Sequence, residues 1–282
     1  MKRVIIQADD LGLSPGVDRG VLRAFREGVL SSASLLACGP SFEHAVGLLR
    51  RSPDLRVGVH LSLIGTPPAA PPSEIPGLVD RAGRLPGSAA GLVFRLAASG
   101  RVEEIAAELG AQVDRVRAAG IDPTHLDSHK FVHCLPPVLE ALILTAGRCG
   151  LERVRLPVFS GPGLLPQSPW PEAWMVAGRR ALVSALGAGS LARLGRAGLR
   201  SPDRLLELEP SGDCTDQLCE LLSAVGEGCT EIICHPAQID TPLLAASRIG
   251  FARRLQLEAL ISSRARERID ERGIELVGYD AI

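Results

Sequence analysis

Short apolar runs and stretches of helical periodicity take turns along almost the whole chain, and that alternation leaves few folds open. Val4 to Ala8 is an apolar run ending in Asp9-Asp10-Leu11-Gly12, and from Gly16 to Gly28 the residues Val17, Val21, Leu22 and Phe25 fall at helical spacing. The unit recurs as Ser32 to Ala37 followed by a helix from Phe42, and then as the β-branched run Arg56 to Leu63. Pro67 to Pro76 is rich in Pro and Ala and reads as a long loop over one face. Val102 to Ala119 carries Ile105, Leu109, Val113 and Val116 on one stripe, with acids in its first turn, and leads through Gly120 into a strand near Thr124. Helix Val138 to Cys149, strand Val154 to Pro157, helix Cys214 to Val225, strand Thr230 to Cys234, helix Phe251 to Ser263 and strand Ile274 to Val277 follow.

Strands separated by helices pair in parallel, so the chain is expected to be α/β. No G-x-G-x-x-G or G-x-x-x-x-G-K segment marks a doubly wound nucleotide fold. A single domain over 1–282, a distorted (β/α) barrel of about seven parallel strands, is the expectation. Hydrophobic residues make up 46% and charged residues 22%, enough for a large core and too little charge for disorder. With 31 basic against 32 acidic residues, no global field favours nucleic acid.

The seven cysteines are odd in number and contain no C-x-x-C pair, which points to reduced thiols in a cytoplasmic protein. Met1-Lys2-Arg3 reaches the aspartate doublet too soon for a signal-peptide apolar region, and no apolar run has the roughly 18 residues of a spanning helix.

Four of the six histidines, His60, His125, His129 and His235, stand in or just after expected strands. In a parallel fold the C-terminal strand ends converge on one face, so these residues can surround one ion or substrate. Consecutive side chains on a strand point to opposite faces, so Asp9 and Asp10 reach one site only if the strand ends there, which Gly12 permits. The other reading of the doublet is a helix N-cap. Neighbouring carboxylates repel unless a cation or proton separates them, and one aspartate with two imidazoles makes a three-ligand site with positions left for water.

His60 sits in the apolar run Arg56 to Leu63, where a core histidine bonded to a carbonyl is the alternative. Thr124 to His133 holds three histidines and Asp127 in ten residues; one histidine can ligate metal while Asp127 orients an imidazole. His129 suits either metal or substrate, and His133 a cap on the following helix. His44 has nothing near it and reads as surface. His235, before Pro236 at a strand terminus, suits general acid duty, whereas Cys234 and His235 diverge too far to form a nucleophilic pair.

Ala8-Asp9-Asp10-Leu11-Gly12, Gly58-Val59-His60, Thr124 to His129 and Cys234-His235-Pro236 together resemble the YdjC-like family, which includes chitooligosaccharide deacetylases. The likeness runs in order along essentially the whole chain. It implies a distorted (β/α) barrel that removes N-acetyl groups from sugars with one divalent metal ion, zinc or magnesium. Asp10, His60 and His125 would be the ligands, Asp9 the base and His235 the acid. His129, Asp127 and Arg155 would serve the substrate or support these groups, with Arg155 holding Asp9 ionised. A homodimer is also implied. The family usually carries Phe at Leu11, often Asn at Asp18, and a further histidine at Phe131, so a contact made by that imidazole is absent here.

Ile75 to Asp80, Arg155-Leu156-Pro157, Arg196-Ala197-Gly198-Leu199 and Gly228 to Ile232 resemble the hopanoid-associated branch of the family. That branch implies an N-acetylglucosaminyl hopanoid, a lipid-linked sugar, as substrate. Between Glu172 and Asp203 there is no acid, while Arg179, Arg180, Arg193, Arg196 and Arg200 alternate with Trp174, Leu182, Leu186, Leu191 and Leu194. Such a stretch, 173–202, is either a peripheral contact to an anionic inner membrane or a barrel helix with a solvated basic face. Rival functions are deacetylation of soluble chitooligosaccharides, hydrolysis of a non-sugar amide, and non-catalytic sugar or lipid binding.

Overall fold

Val4, Ile5, Ile6 and Ala8 on the first strand are wholly buried, which is what a strand covered on both faces requires. The computed structural model describes residues 1–99, 101–155, 158–160, 171–209, 213–246 and 250–282. Along the chain run β1 (Lys2–Leu11), α1 (Pro15–Glu27), β2 (Ser32–Leu35), α2 (Phe42–Leu49), β3 (Val57–Leu61), α3 (Ala89–Ser99), α4 (Val102–Ala118) and β4 (Leu126–Ser128). A 3-10 turn (His129–Cys134) leads into α5 (Pro136–Cys149), α6 (Pro171–Gly187), α7 (Ser190–Arg196), β5 (Arg204–Glu207), α8 (Cys214–Ser223) and β6 (Gly228–Cys234). The chain then forms α9 (Thr241–Ala246), α10 (Gly250–Leu260), α11 (Ser263–Arg272) and β7 (Ile274–Leu276).

All described strand pairs are parallel, in the order β4-β3-β2-β1-β6-β5, with β7 beside the start of β1. The sheet curls into a distorted barrel. Residues 153–155 and 158–160 lie at its two ends: Arg155 N–H donates to Leu126 O at 2.9 Å on the β4 side, and Ser160 N–H donates to Leu205 O at 2.8 Å on the β5 side. The expected strand Val154 to Pro157 is reduced to bridges, Leu126 with Val154 and Arg153 with Arg200; Leu156 and Pro157 lie outside the described residues. Strand β5 was not expected, because its apolar core is only Leu205-Leu206 between charged neighbours. The expected helix Phe251 to Ser263 ends at Leu260, because Ser262 caps α11 by accepting from Ala265 N–H.

The main apolar core lies outside the barrel, between the sheet and its helices, and includes Val21 of α1, Val46 of α2, Leu109 and Val113 of α4, and Leu142 of α5. The interior is lined instead by polar groups. Gln7, Asp9, Ser34, His60, His125, Asp127, Arg155 and Glu231 are all buried there, and each needs a partner to offset its lost hydration. All seven cysteines are free thiols. Among the described residues no helix is long and apolar enough to cross a membrane.

Candidate metal centre

Register explains how two adjacent aspartates reach one site. Ala8 pairs with Ala33 and Leu11 with Leu35, so β1 spends one more residue than β2 at this point. The extra residue is a bulge, and Asp10 takes a left-handed φ of 66°, which turns its side chain to the face that Asp9 already occupies. Gly12 follows at φ 91°, where a Cβ would press on Leu35 and Leu36. The turn is pinned by Asp18, which accepts from Gly12 N–H at 2.7 Å and from Ser41 Oγ at 2.5 Å. His44 is not an unattached surface residue: its Nδ1 lies 2.8 Å from the same carboxylate.

His60 on β3 stands in register with Asp127 on β4, so the two side chains meet inside the barrel. The Nδ1 of His60 is 2.9 Å from Asp127 Oδ1 and 3.0 Å from Ser34 Oγ. This holds the ring with Nε2 facing Asp10 Oδ1, 3.4 Å away. His129, just past the end of β4, brings its Nδ1 to 2.8 Å from the same oxygen.

Asp10, His60 and His129 thus offer three ligand atoms within 4.8 Å of one another. Two ligands about 2.1 Å from a tetrahedral ion stand roughly 3.4 Å apart, so one carboxylate and two imidazoles at these separations fit a divalent ion. His129 keeps part of its surface open, which leaves a side for water or substrate. Charge agrees with the fit. Burial alone would lower the His60 pKa, but Asp127 and Asp9 outweigh it and raise it to about 10, so this pocket already favours a cation. Burial opposes ionisation of Asp10 as well, yet Arg253 and His129 hold that carboxyl well below its usual range.

His125, expected as the third ligand, stands elsewhere. It lies deeper in the barrel, stacked on Tyr279 at 3.6 Å between ring centroids. Its Nδ1 is 2.9 Å from Thr124 Oγ1 and its Nε2 3.3 Å from Gln7 Nε2, so both nitrogens are engaged away from Asp10. Gly58 makes the space, since a Cβ there would sit 2.5 Å from the ring. Burial, with Arg155 nearby, lowers the His125 pKa to about 3 and keeps the ring neutral. The physical reason is strand period: residues 125 and 127 share a face but sit a layer apart, and only the residue after the strand end reaches the mouth. His133 caps no helix; it is buried with Nδ1 2.5 Å from Ser128 Oγ.

A second geometric group, Asp9, His60 and Asp127, is already served by a fixed cation. Arg155 is fully buried and donates to Asp9 Oδ1 at 2.6 Å and Oδ2 at 2.8 Å. It also lies 2.9 Å from Asp127 Oδ2 and 2.8 Å from Glu231 Oε1. These carboxylates therefore face a guanidinium, and Asp10, His60 and His129 form the better ion site.

His235 follows β6. Its backbone N–H donates to Gln256 Oε1 at 2.6 Å, and burial together with Arg253 lowers its pKa, against the pull of Asp9 and Asp10. Arg253 on α10 donates to Asp10 Oδ2, leaving Oδ1 to face the imidazoles. Sequence reasoning missed Arg253, which sits among other arginines on an ordinary helix. Glu231 and Tyr279 were missed too, although a lone acid inside the apolar run Thr230 to Cys234 was a usable signal.

Phe131, where the resemblance leads one to expect a histidine, packs 4.9 Å from Phe159, with Arg155 and Arg179 each 5.8 Å from its ring. The basic stretch 173–202 forms α6 and α7, and four of its five arginines meet acids. Arg180 is buried against Glu207, half-exposed Arg179 reaches the same carboxylate, Arg193 meets Glu140 and Arg200 meets Glu152. Leu182, Leu186 and Leu191 remain exposed.

The chain is similar to known proteins over its full length. It is 33% identical to a carbohydrate deacetylase of Geobacillus stearothermophilus over 279 residues, covering 98% of this chain and 96% of that one. It is also 33% identical to a chitooligosaccharide deacetylase of Klebsiella pneumoniae (strain 342), covering 99% of each. A solved structure from Enterococcus faecalis V583, provisionally named a cellobiose-phosphate cleavage protein, superposes with a TM-score of 0.76 at 30% identity, covering 99% of this chain and 98% of the other. Residues 3–271 match the family described as YdjC-like protein, to which this chain belongs.

Proposed function

We propose that this protein is a metal-dependent N-deacetylase that hydrolyses the acetamide of an N-acetylated amino sugar, with an N-acetylglucosaminyl hopanoid as its substrate. The observation that carries the reading is the cluster of Asp10, His60 and His129 beside an Asp9 fastened by Arg155, at the C-terminal ends of the strands. The names of the full-length relatives support carbohydrate deacetylation.

A divalent ion held by Asp10, His60 and His129 would make water acidic and polarise the acetamide carbonyl. Asp9 accepts a proton from the attacking water as the new C–O bond forms. Arg155 keeps that carboxylate in one orientation, with its charge balanced in a dry interior. His235 donates a proton to the sugar nitrogen as the C–N bond breaks, giving acetate and a free amine. Its lowered pKa makes the imidazolium a stronger acid and confines that form to the acid side of its usual 6.5. With metal saturating, kcat/KM is therefore expected to fall as pH rises through a value below 6.5.

The lipid-linked substrate is supported by the exposed leucines of α6 and α7, which offer an apolar surface to an aglycone or bilayer. The relatives' names favour a soluble chitooligosaccharide as the second reading. Acetate release from N-acetylglucosaminyl bacteriohopanetetrol and from diacetylchitobiose, before and after chelation and metal readdition, separates the two. Chelator-sensitive release from the hopanoid is expected. Release from chitobiose alone would move the substrate to soluble sugars, and release from neither, with metal bound, would sink the deacetylase assignment.

A further inference from the structure

The C-terminal segment enters the barrel from the end opposite the metal cluster. Val277 N–H donates to Val4 O, Arg3 Nη1 donates to Ala281 O, and Arg153 Nε donates to Ile282 O. Val277 and Tyr279 pack with Ile5 and Cys229, so the segment seals this end with apolar contact. The phenol of Tyr279 passes through that seal, fully buried, and donates to Glu231 Oε2 at 2.7 Å.

Glu231 is buried as well, and its other oxygen accepts from Arg155 Nε at 2.9 Å. Arg155 in turn holds Asp9 with both terminal nitrogens, and Nη1 also reaches Asp127, the carboxylate that orients His60. One unbroken line of contacts therefore runs from the C-terminal segment to both sides of the site. We propose that Tyr279 and Glu231 are positioning residues: they fix where Arg155 stands, and through it the angle at which Asp9 meets the attacking water.

The alternatives for Arg155 are close at hand, which is why it needs fixing. A guanidinium offers five donors in a rigid fork, and three carboxylates compete for them in this interior. Glu231 is the member that holds the Nε edge, so it sets the roll of the plane that Asp9 and Asp127 share. Glu231 in turn depends on Tyr279. Burial pushes its pKa up to about 7 even with Arg155 and Tyr279 opposing, so loss of the phenol hydroxyl favours the neutral acid, a weaker partner for Arg155. Neither residue touches the substrate; both act through Arg155 on a group whose displacement by about 1 Å can cost roughly 100-fold in rate.

The proposal deepens the deacetylase reading and rests on it for its kinetic arm, so the test also has an arm that needs no substrate. Tyr279→Phe removes one oxygen and keeps the stack on His125. In the metal-loaded full-length protein, kcat for acetate release from whichever of the N-acetylglucosaminyl hopanoid and diacetylchitobiose the wild type cleaves is expected to fall by roughly 10- to 100-fold, with KM and metal Kd each within about twofold of wild type. Glu231→Gln should behave alike, and adding the second change to the first should cost little more, because both cut one line. A crystal structure of Tyr279→Phe should show the Arg155 plane rotated and its bonds to Asp9 altered. An unmoved Arg155, or a kcat within twofold of wild type, overturns the proposal, as does a loss of rate that merely follows loss of bound metal. If the wild type releases acetate from neither substrate, the deacetylase reading fails, and the crystallographic arm still decides the positioning role.

Discussion

Arg155 holds Asp9 by both carboxylate oxygens, at 2.6 and 2.8 Å, from a position with no solvent exposure. A lysine keeps the charge but has no planar fork, so it cannot hold Asp9 while also meeting Asp127 and Glu231. Arg155→Lys should therefore lower kcat by roughly 100-fold with metal still bound. Steady-state kinetics beside metal analysis of the same sample check this. Activity near wild type would mean that charge, not geometry, is what Asp9 requires.

His129 and His125 make opposite predictions for the ion. His129 shares Asp10 with His60, so His129→Gln should weaken metal binding by more than about 100-fold. His125→Gln should retain one ion per chain. Equilibrium dialysis or calorimetry on the two variants decides between them, and loss of metal in His125→Gln would restore His125 to the ligand set.

The contrast shows where the sequence was readable. The barrel, its parallel strands and most of its helices followed from apolar periodicity, since local burial repeats over many residues and leaves a strong signal. Asp9, Asp10 and His60 were legible as polar groups in or at the end of apolar runs, and Asp127 and His129 as members of a dense polar segment, whereas Arg155 came only from the family resemblance. What periodicity could not give was depth. His125 and His129 lie four residues apart, and which of them reaches the mouth depends on β4 ending at Ser128. Arg253 left no trace, because an arginine on a surface-like helix looks the same whether or not a partner strand brings Asp10 beside it. The bulge that unites Asp9 and Asp10 appears only when β1 is laid against β2.

Metal uptake should release protons. In the metal-free protein Asp127 and Asp9 hold the His60 pKa at about 10 against the effect of burial. The ring must shed a proton from the nitrogen that faces Asp10 before it can ligate, so near pH 7 about one proton should leave per ion bound. Affinity should climb about tenfold per pH unit in this range and level off above pH 10. Calorimetry in two buffers of different ionisation enthalpy counts the protons. A count near zero would show that His60 is neutral before the ion arrives and that the cation-favouring field is weaker than the geometry suggests.

Acid should unfold this protein through its neutral interior histidines. Burial, helped by Arg155, lowers the pKa of both His125 and His133 to about 3, whereas an unfolded chain has its histidines near 6.5. Between those values the unfolded state binds more protons, so stability is full above about pH 6.5 and drains as pH falls toward 3. At pH 5 each ring should have cost about 2 kcal/mol relative to pH 7. His125→Gln gives up the stack on Tyr279 and is expected to be less stable at pH 7, but it removes one of the rings that burial holds neutral. Its loss of stability between pH 7 and pH 5, followed by urea denaturation, should accordingly be smaller than that of the wild type by about 2 kcal/mol. Parallel pH curves for the two proteins would mean that His125 takes up its proton in the folded barrel, and that the stacked ring beneath the site is not held neutral.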